Sequence, residues 1–119
     1  MKHKSKSYNE AVVKAFFASY DIPAPEFEYQ FHPTRKWRFD MAWPFLAMLG
    51  QKTDETGGIA VEVDGGIWIR GGHNRGAQMK KDWEKANTAA TMGWRILRCE
   101  PKDLCTKEFA EMAKISLHL

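Results

Sequence analysis

The segment between Ile59 and Cys99 constrains the fold most, because two apolar runs of strand length enclose a helical pattern. Apolar and polar residues alternate over residues 59–64, and Trp94–Cys99 is a second short apolar run, so both are predicted to be strands. Residues 77–92 have helical periodicity and are followed by Gly93, a typical C-terminal stop. A strand, a crossover helix and another strand normally form a parallel pair. We therefore expect these two strands to be parallel.

The remaining sequence predicts a helix and two strands before this unit and a helix after it. A helix is expected over residues 7–20, because apolar residues recur there at helical spacing; Ser7 is the predicted N-cap, and the prolines that follow end the helix. Alternation over residues 27–31 and 35–43 predicts a β-hairpin. The segment that begins at Pro101 is typical of a last helix. The predicted order is α-β-β-β-α-β-α, which is an α/β fold of one domain with a mixed central β-sheet flanked by helices.

Each predicted element has an apolar face that we expect to point into the core. In the second strand of the hairpin this face carries Trp37, Phe39, Met41 and Trp43, and the opposite face is expected to be charged. The predicted inward stripes of the three helices are Tyr8, Val12, Ala15 and Phe16, then Met79, Trp83, Ala86 and Ala90, then Leu104, Phe109, Met112 and Ile115.

Composition fits one folded domain. With 119 residues, 44% of them hydrophobic, the chain can build one core but hardly two. Residues 1–6 are expected to form a flexible basic tail ahead of a domain over residues 7–119. No run approaches the roughly 18 apolar residues of a membrane-spanning helix, and no signal core is present, so we expect no membrane contact and a cytoplasmic location. Cys99 and Cys105 are expected to be reduced thiols without a role.

Three carboxylates are predicted to converge on neighbouring strands. Asp40 lies in the second strand, and Glu62 and Asp64 lie on one face of the third. Carboxylates brought this close repel one another unless a cation neutralises them, and hard oxygen ligands favour Mg²⁺ or Mn²⁺. A catalytic metal site is one interpretation of this pattern. The other is a solvated, open sheet face.

The order of several short motifs resembles the PD-(D/E)XK, or restriction-endonuclease-like, nuclease superfamily, and most closely its small phage-type and very-short-patch-repair-like branches. The resemblance covers roughly residues 7–103. Its motifs are the runs FEYQ at Phe27, WRFD at Trp37, VEVDGG at Val61 and GWRILR at Gly93, together with His73, Asp82 and Lys85.

The resemblance implies a role for each of several residues. Asp40 and Glu62 would bind Mg²⁺, for which Mn²⁺ could substitute, and the carbonyl of Val63 would be a backbone ligand. The superfamily pattern has Lys where this chain has Asp64, so the cationic role would pass to Lys85 on the following helix, with Lys81 behind it. For Lys85 the alternative is a solvated lysine paired with Asp82.

Two further residues have a structural alternative beside the catalytic one. The superfamily often has a first-helix Glu that reaches the metal, which here would be Glu10. Glu10 could equally complete a capping box with Ser7. His73 could carry a proton or contact a phosphate, because histidine titrates near neutral pH, or it could be an ordinary loop residue.

A formal net charge of +3 and a pI of 8.9 make nucleic acid a candidate partner. Basic residues expected around the acidic centre, each of which could also be an ordinary surface charge, are Arg35, Lys36, Arg38, Arg70, Arg75, Lys80 and Lys81. The resemblance implies a metal-dependent DNA endonuclease, structure-directed or nonspecific and resembling a Holliday-junction resolvase, that acts as a homodimer without an organic cofactor. The alternatives are a noncatalytic nucleic-acid-binding module with the nuclease fold and an interaction domain that binds no nucleic acid.

Overall fold

Four β-strands form one mixed sheet in the computed structural model, which describes residues 7–45, 57–64 and 75–119. The strands are β1 (Glu26–Gln30), β2 (Arg38–Pro44), β3 (Gly58–Val63) and β4 (Trp94–Cys99), and they lie side by side in that order. The pairs β1–β2 and β2–β3 are antiparallel, whereas β3 and β4 are parallel. The predicted α/β class, the mixed sheet and its parallel pair are confirmed.

The described helices are α1 (Glu10–Ala18), α2 (Arg75–Thr91), α3 (Pro101–Leu104) and α4 (Lys107–Ser116). The C-terminal region was predicted to be one helix but contains two. Thr106 separates them, because its hydroxyl accepts a hydrogen bond from the Phe109 N–H at 3.2 Å and caps α4. None of the described helices combines the length and the apolar character needed to cross a membrane.

The sheet is buried on both faces. The first core lies between the sheet and the helices α1, α3 and α4, and it contains Phe17, Trp43, Val61 and Phe109. The second core lies on the α2 side, where Ala89 of α2 packs with residues that include Phe39 and Ala60. The prediction that one face of the hairpin strand is charged was therefore wrong.

The side chains of β2 do not alternate as predicted. Phe39 packs in the second core, and Met41 lies in the first core with Trp43, although strict alternation would put all three on one side. The change of side falls at Asp40. Glu28 and Asp40 lie at facing positions of β1 and β2 but are not paired in the register of the two strands, and Glu28 has a left-handed φ of 52°. An irregular stretch of sheet therefore adjoins Asp40.

The first helix begins later than the sequence predicted, and only Tyr8 and Phe16 of its predicted stripe pack against the core. Its N-cap is Asn9, whose side-chain oxygen accepts a hydrogen bond from the Val12 N–H at 3.1 Å. Val13 and Phe17 are buried, whereas Val12 is 59% exposed. In the sequence EAVVKAFFA apolar residues come in adjacent pairs, so two stripes one residue apart fit the helical period equally well. Packing on Trp43 selects the second stripe, since the Phe17 and Trp43 rings meet edge-on at 5.4 Å.

Two other helices also differ from prediction in the face they bury. On α2, Trp83 is 56% exposed and Ala89 is fully buried. In the C-terminal region, Leu104 and Phe109 are buried as predicted, whereas Met112 is 48% exposed and Ile115 is 75% exposed. Alanines face the core in both helices, on α4 together with Phe109, because alanine allows a helix to approach the sheet closely. Large exposed side chains on each helix also recur at the helical period, and for this reason they were predicted to be buried.

Candidate active site

Asp40 and Glu62 meet where the regular pairing of β2 with β3 ends. The register of the two strands runs from Pro44 opposite Gly58 to Met41 opposite Val61, and the two acids come next along their strands. The Val63 N–H donates to Asp40 Oδ2 at 2.7 Å, and the Asp40 N–H donates to Glu62 Oε2 at 3.4 Å. Each carboxylate is thus held against the backbone of the opposite strand, so the two acidic groups lie at one place.

Lys85 reaches this place from α2. Its ammonium donates to the carbonyl of Arg38 at 2.6 Å and forms an ion pair with Glu62. The side chains of Lys85 and Glu62 are 24% and 13% exposed, so the pair is shielded from water on most sides. A cation held this way neutralises one of the converging carboxylates.

Asp64 and Arg98 form a second and more exposed ion pair next to the first. Arg98 lies on β4 directly opposite Glu62 in the parallel register, and its Nη1 is 3.4 Å from Asp64 Oδ2. The Asp64 N–H donates to the Cys99 carbonyl at 2.8 Å, which continues the pairing of the two strands past Val63. Asp64 therefore has its own cationic partner on the neighbouring strand.

These groups line an open cavity of about 320 Å³ between the strand ends and α2. From α2 the lining includes Gln78 and Asp82, and Gln78 Nε2 donates to Asp82 Oδ1 at 3.0 Å. The residues that line the cavity are Glu28, Arg38, Asp40, Glu62, Val63, Asp64, Gln78, Asp82, Lys85 and Arg98.

Burial changes the acidity of two groups here. Burial raises the pKa of Glu62 above its ordinary value, the charge and hydrogen bond of Lys85 oppose this change, and the charge of Asp40 adds to it. Burial also raises the pKa of Tyr8, and the charges of Asp40 and Glu28 add to that effect. The Tyr8 hydroxyl is buried and has no hydrogen-bond partner among the described residues. A neutral phenol therefore lies close to the acidic centre.

The structure brings together the acids Asp40, Glu62 and Asp64 and the cation Lys85, as the sequence predicted. It also brings in Gln78, Asp82 and Arg98, which were not predicted as site residues. Gln78, Asp82 and Lys85 are spaced four and three apart, so they share a helix face, and this polar stripe was a usable signal. Arg98 could have been found from the predicted parallel pairing with the strand of Glu62.

Other predicted site residues lie elsewhere or are not described. Glu10 is the first residue of α1 and is absent from the cavity lining. Because Asn9 is the N-cap, the capping box of Ser7 with Glu10 was wrong. His73 and Arg70 lie outside the described residues, as does the predicted tail.

Those predicted basic residues whose side chains the structure describes do not form one group. Arg35 lies 3.8 Å above the ring of Trp37 and 3.1 Å from Glu84, and its hydrogen bond lowers the pKa of Glu84. Arg35 is thus part of a surface cluster that fastens the β1–β2 turn to α2. Arg38 lines the cavity. Lys36, Lys80 and Lys81 are exposed, and Arg75 is the first residue of α2.

A hard divalent cation fits the donors that are present. Mg²⁺ is usually held by one or two carboxylates, with waters and phosphate oxygens completing its shell. Asp40 and Glu62 supply two carboxylates at one cavity, where Lys85 and the Asp40 N–H contact the two Glu62 oxygens, and Val63 is next to both acids. Within residues 7–45, 57–64 and 75–119 there is no group of three or more His, Cys, Asp or Glu side chains arranged to hold a metal ion. The fit therefore depends on a site with two carboxylates.

Comparison of the chain with protein-family models, with curated proteins and with solved structures finds no match. The resemblance to the PD-(D/E)XK superfamily stays a prediction from the sequence.

Proposed function

We propose that this protein is a metal-dependent endonuclease that hydrolyses DNA phosphodiester bonds with an activated water. The observation that carries the proposal is the meeting of Asp40 and Glu62 on adjacent strand ends, with the Lys85 ammonium on Glu62, in one open cavity. Two acids and a half-buried cation at one cavity are groups that metal-assisted phosphodiester hydrolysis can use.

The residues of this site have different proposed roles. Asp40, Glu62 and the Val63 carbonyl would hold Mg²⁺, or Mn²⁺ in its place. When bound, such an ion polarises the phosphate and lowers the pKa of water. Lys85 fixes the Glu62 carboxylate through their ion pair and offsets negative charge that develops on the phosphate oxygens. The carbonyl of Arg38 holds the Lys85 ammonium from the other side, so it is positioned before substrate arrives.

The surroundings favour a polyanion as substrate. Arg38 and Arg98 are exposed at the cavity, and Lys80 and Lys81 are exposed on α2, the helix that forms one wall. A chain of 119 residues offers little surface for reading base sequence. We therefore propose structure-directed or nonspecific cleavage, as by a Holliday-junction resolvase, by a homodimer that brings two cavities to a branched substrate.

Cleavage assays with matched variants test the proposal. Labelled duplex, single-stranded and four-way DNA are incubated with Mg²⁺ or Mn²⁺ and wild type, Asp40→Asn, Glu62→Gln or Glu111→Gln. Glu111 is an exposed acid on α4, on the opposite side of the sheet from α2. We expect both cavity variants to lose at least about 100-fold in rate, or roughly 2.7 kcal/mol of transition-state stabilisation, while Glu111→Gln cleaves as wild type does. Equal cleavage by Asp40→Asn and wild type would refute the assignment.

One observation favours a second candidate, a noncatalytic nucleic-acid-binding module. Lys85 already neutralises Glu62, and Arg98 is paired with Asp64, so the cavity contains cations of its own. This candidate predicts binding of DNA at low salt with no cleavage in either metal. Absence of DNA binding at low salt would instead favour an interaction domain.

A further inference from the structure

We propose that Arg98, held by Asp64, is a phosphate-binding arm of the cavity that receives a nonbridging oxygen of a DNA phosphate. The inference deepens the proposed function and rests on it for the identity of the ligand, a phosphodiester group. It adds one binding residue, Arg98, and one positioning residue, Asp64.

The position of Arg98 follows from the sheet. In the parallel register Arg98 is opposite Glu62, so the two side chains emerge side by side from neighbouring strands. Trp94 and Ile96 of β4 pack in the second core, and side chains alternate along a strand, so Arg98 lies on the α2 side with them. That side contains Lys85, and Arg98 lines the same cavity as Lys85 and Glu62.

The contact of Arg98 with Asp64 leaves its guanidinium available. It joins Nη1 to one carboxylate oxygen at 3.4 Å, and the Arg98 side chain is 52% exposed. A guanidinium has five N–H donors in a planar fork, which suits two parallel hydrogen bonds to a phosphate. A long, half-exposed ion pair contributes little to stability, so it can orient the arginine without outcompeting an incoming phosphate.

The other arginines near the hairpin are placed differently. Arg35 is stacked on Trp37 and paired with Glu84, so its guanidinium is occupied on both sides. Arg38 contributes its backbone carbonyl to Lys85. Among the described residues of the cavity, Arg98 is an arginine oriented by an acid of the site itself, which is the arrangement expected of a preorganised oxyanion contact.

This arrangement would explain an acid at position 64, where the superfamily pattern has Lys. An acid at this position cannot offer positive charge to the phosphate, but it can hold an arginine from the next strand there. Two cations of the site are then each paired with one of its acids, Lys85 with Glu62 and Arg98 with Asp64.

Binding of thymidine 3′,5′-bisphosphate, measured by titration calorimetry with Ca²⁺, tests the arm without requiring turnover. The proteins are wild type, Arg98→Met, Arg98→Lys, Asp64→Asn and Arg95→Met. Arg95 is an exposed arginine of the same strand whose position in the alternation puts it on the first-core side with Leu97 and Cys99. We expect Arg98→Met to weaken binding at least tenfold, Arg98→Lys to restore part of the loss, Asp64→Asn to weaken binding by a smaller factor, and Arg95→Met to stay within twofold of wild type.

The inference would be overturned by equal affinities of Arg98→Met and Arg95→Met for the bisphosphate, or by the absence of bisphosphate binding to wild type. Cleavage of four-way DNA, assayed in parallel, separates it from the proposed function. If wild type binds the bisphosphate through Arg98 but cleaves no DNA, the arm stands and the nuclease proposal fails. If wild type cleaves and Arg98→Met binds and cleaves equally well, the arm fails and the nuclease proposal stands.

Discussion

Lys85 and Lys81 are lysines one turn apart on α2 with different surroundings. Lys85 contacts Glu62 and the Arg38 carbonyl, whereas Lys81 is exposed. If the ammonium offsets charge on the reacting phosphate, Lys85→Met should slow single-turnover cleavage of four-way DNA by roughly 100-fold or more. Lys81→Met should change the rate by less than about threefold at low salt, since it removes one solvated charge. Similar rates for the two variants would remove Lys85 from the mechanism.

Glu62 gives the stability of the fold a pH dependence whose sign can be stated. Its pKa is raised in the folded protein, mainly by burial, from the ordinary value of 4.5. Between that value and the folded pKa the folded state binds more protons than the unfolded chain, so stability falls as pH rises through this interval. Glutamine cannot titrate. The free energy of unfolding of Glu62→Gln, measured by urea titration, should therefore increase relative to that of wild type as pH rises from about 4 to 7. A constant difference, or a gain by wild type, would contradict the raised pKa.

The side chains of the site could be predicted to different extents. Strand alternation put Asp40 and Glu62 on polar positions, and the resemblance to the nuclease superfamily then singled them out as metal ligands, although the alternation of β2 itself breaks at Asp40. To predict that Lys85 points into the site, one must know which face of α2 packs on the sheet. Apolar periodicity predicted the wrong face, with Met79 and Trp83 pointing inward. The cluster of Arg35 with Trp37 and Glu84 joins residues 49 apart in sequence and has no local signal.

At the scale of elements, the N-cap of α1 in the structure differs from the N-cap predicted from the sequence. Asn9 caps the helix through its side-chain oxygen, and Ser7, the residue predicted from sequence, lies two positions earlier. Asn9→Ala should destabilise the fold by about 1 kcal/mol, because the Val12 N–H loses its acceptor. Ser7→Ala should cost less than about 0.5 kcal/mol. Chemical denaturation of both variants checks this, and a larger loss for Ser7→Ala would restore the predicted cap.

Two glycines hold the starts of the parallel strands close together. Gly57 has a φ of 73°, and a Cβ there would lie 2.3 Å from the carbonyl oxygen of Gly93, which has a φ of 87°. Gly57→Ala should therefore cost more than about 2 kcal/mol, through both the clash and the left-handed backbone. Gly76→Ala is the matched control, since a Cβ at this α2 position meets nothing within 4 Å. It should stabilise the protein by about 0.5–1 kcal/mol in the same urea titrations. Equal effects of the two changes would contradict the close approach.

The elements themselves could be predicted better than their orientations. The bounds of β4 match the prediction, because apolar residues lie between a helix-ending glycine and a proline. The faces of α1, α2 and α4 could be read from the sequence only in part, as for Phe109, since each helix has more than one apolar stripe and the sheet decides which is buried. The break at Thr106 was missed for a similar reason, because apolar periodicity continues across it.

At the scale of the whole molecule, an ion bound between β2 and β3 would stabilise the entire fold, because its ligands come together only in the folded chain. With Mn²⁺ at a hundredfold its Kd, the free energy of unfolding should rise by about 2.7 kcal/mol, which thermal melts detect as a higher Tm. Glu62→Gln should lose this shift, and because it keeps every histidine of the chain, it also controls for binding elsewhere. Lys85→Met should show a larger shift than wild type, since the ammonium that competes for Glu62 is gone. The same variant is expected to be inactive, so tighter metal binding and lost cleavage would occur together. A Mn²⁺ shift that is equal in wild type, Glu62→Gln and Lys85→Met would show that the ion binds outside the cavity.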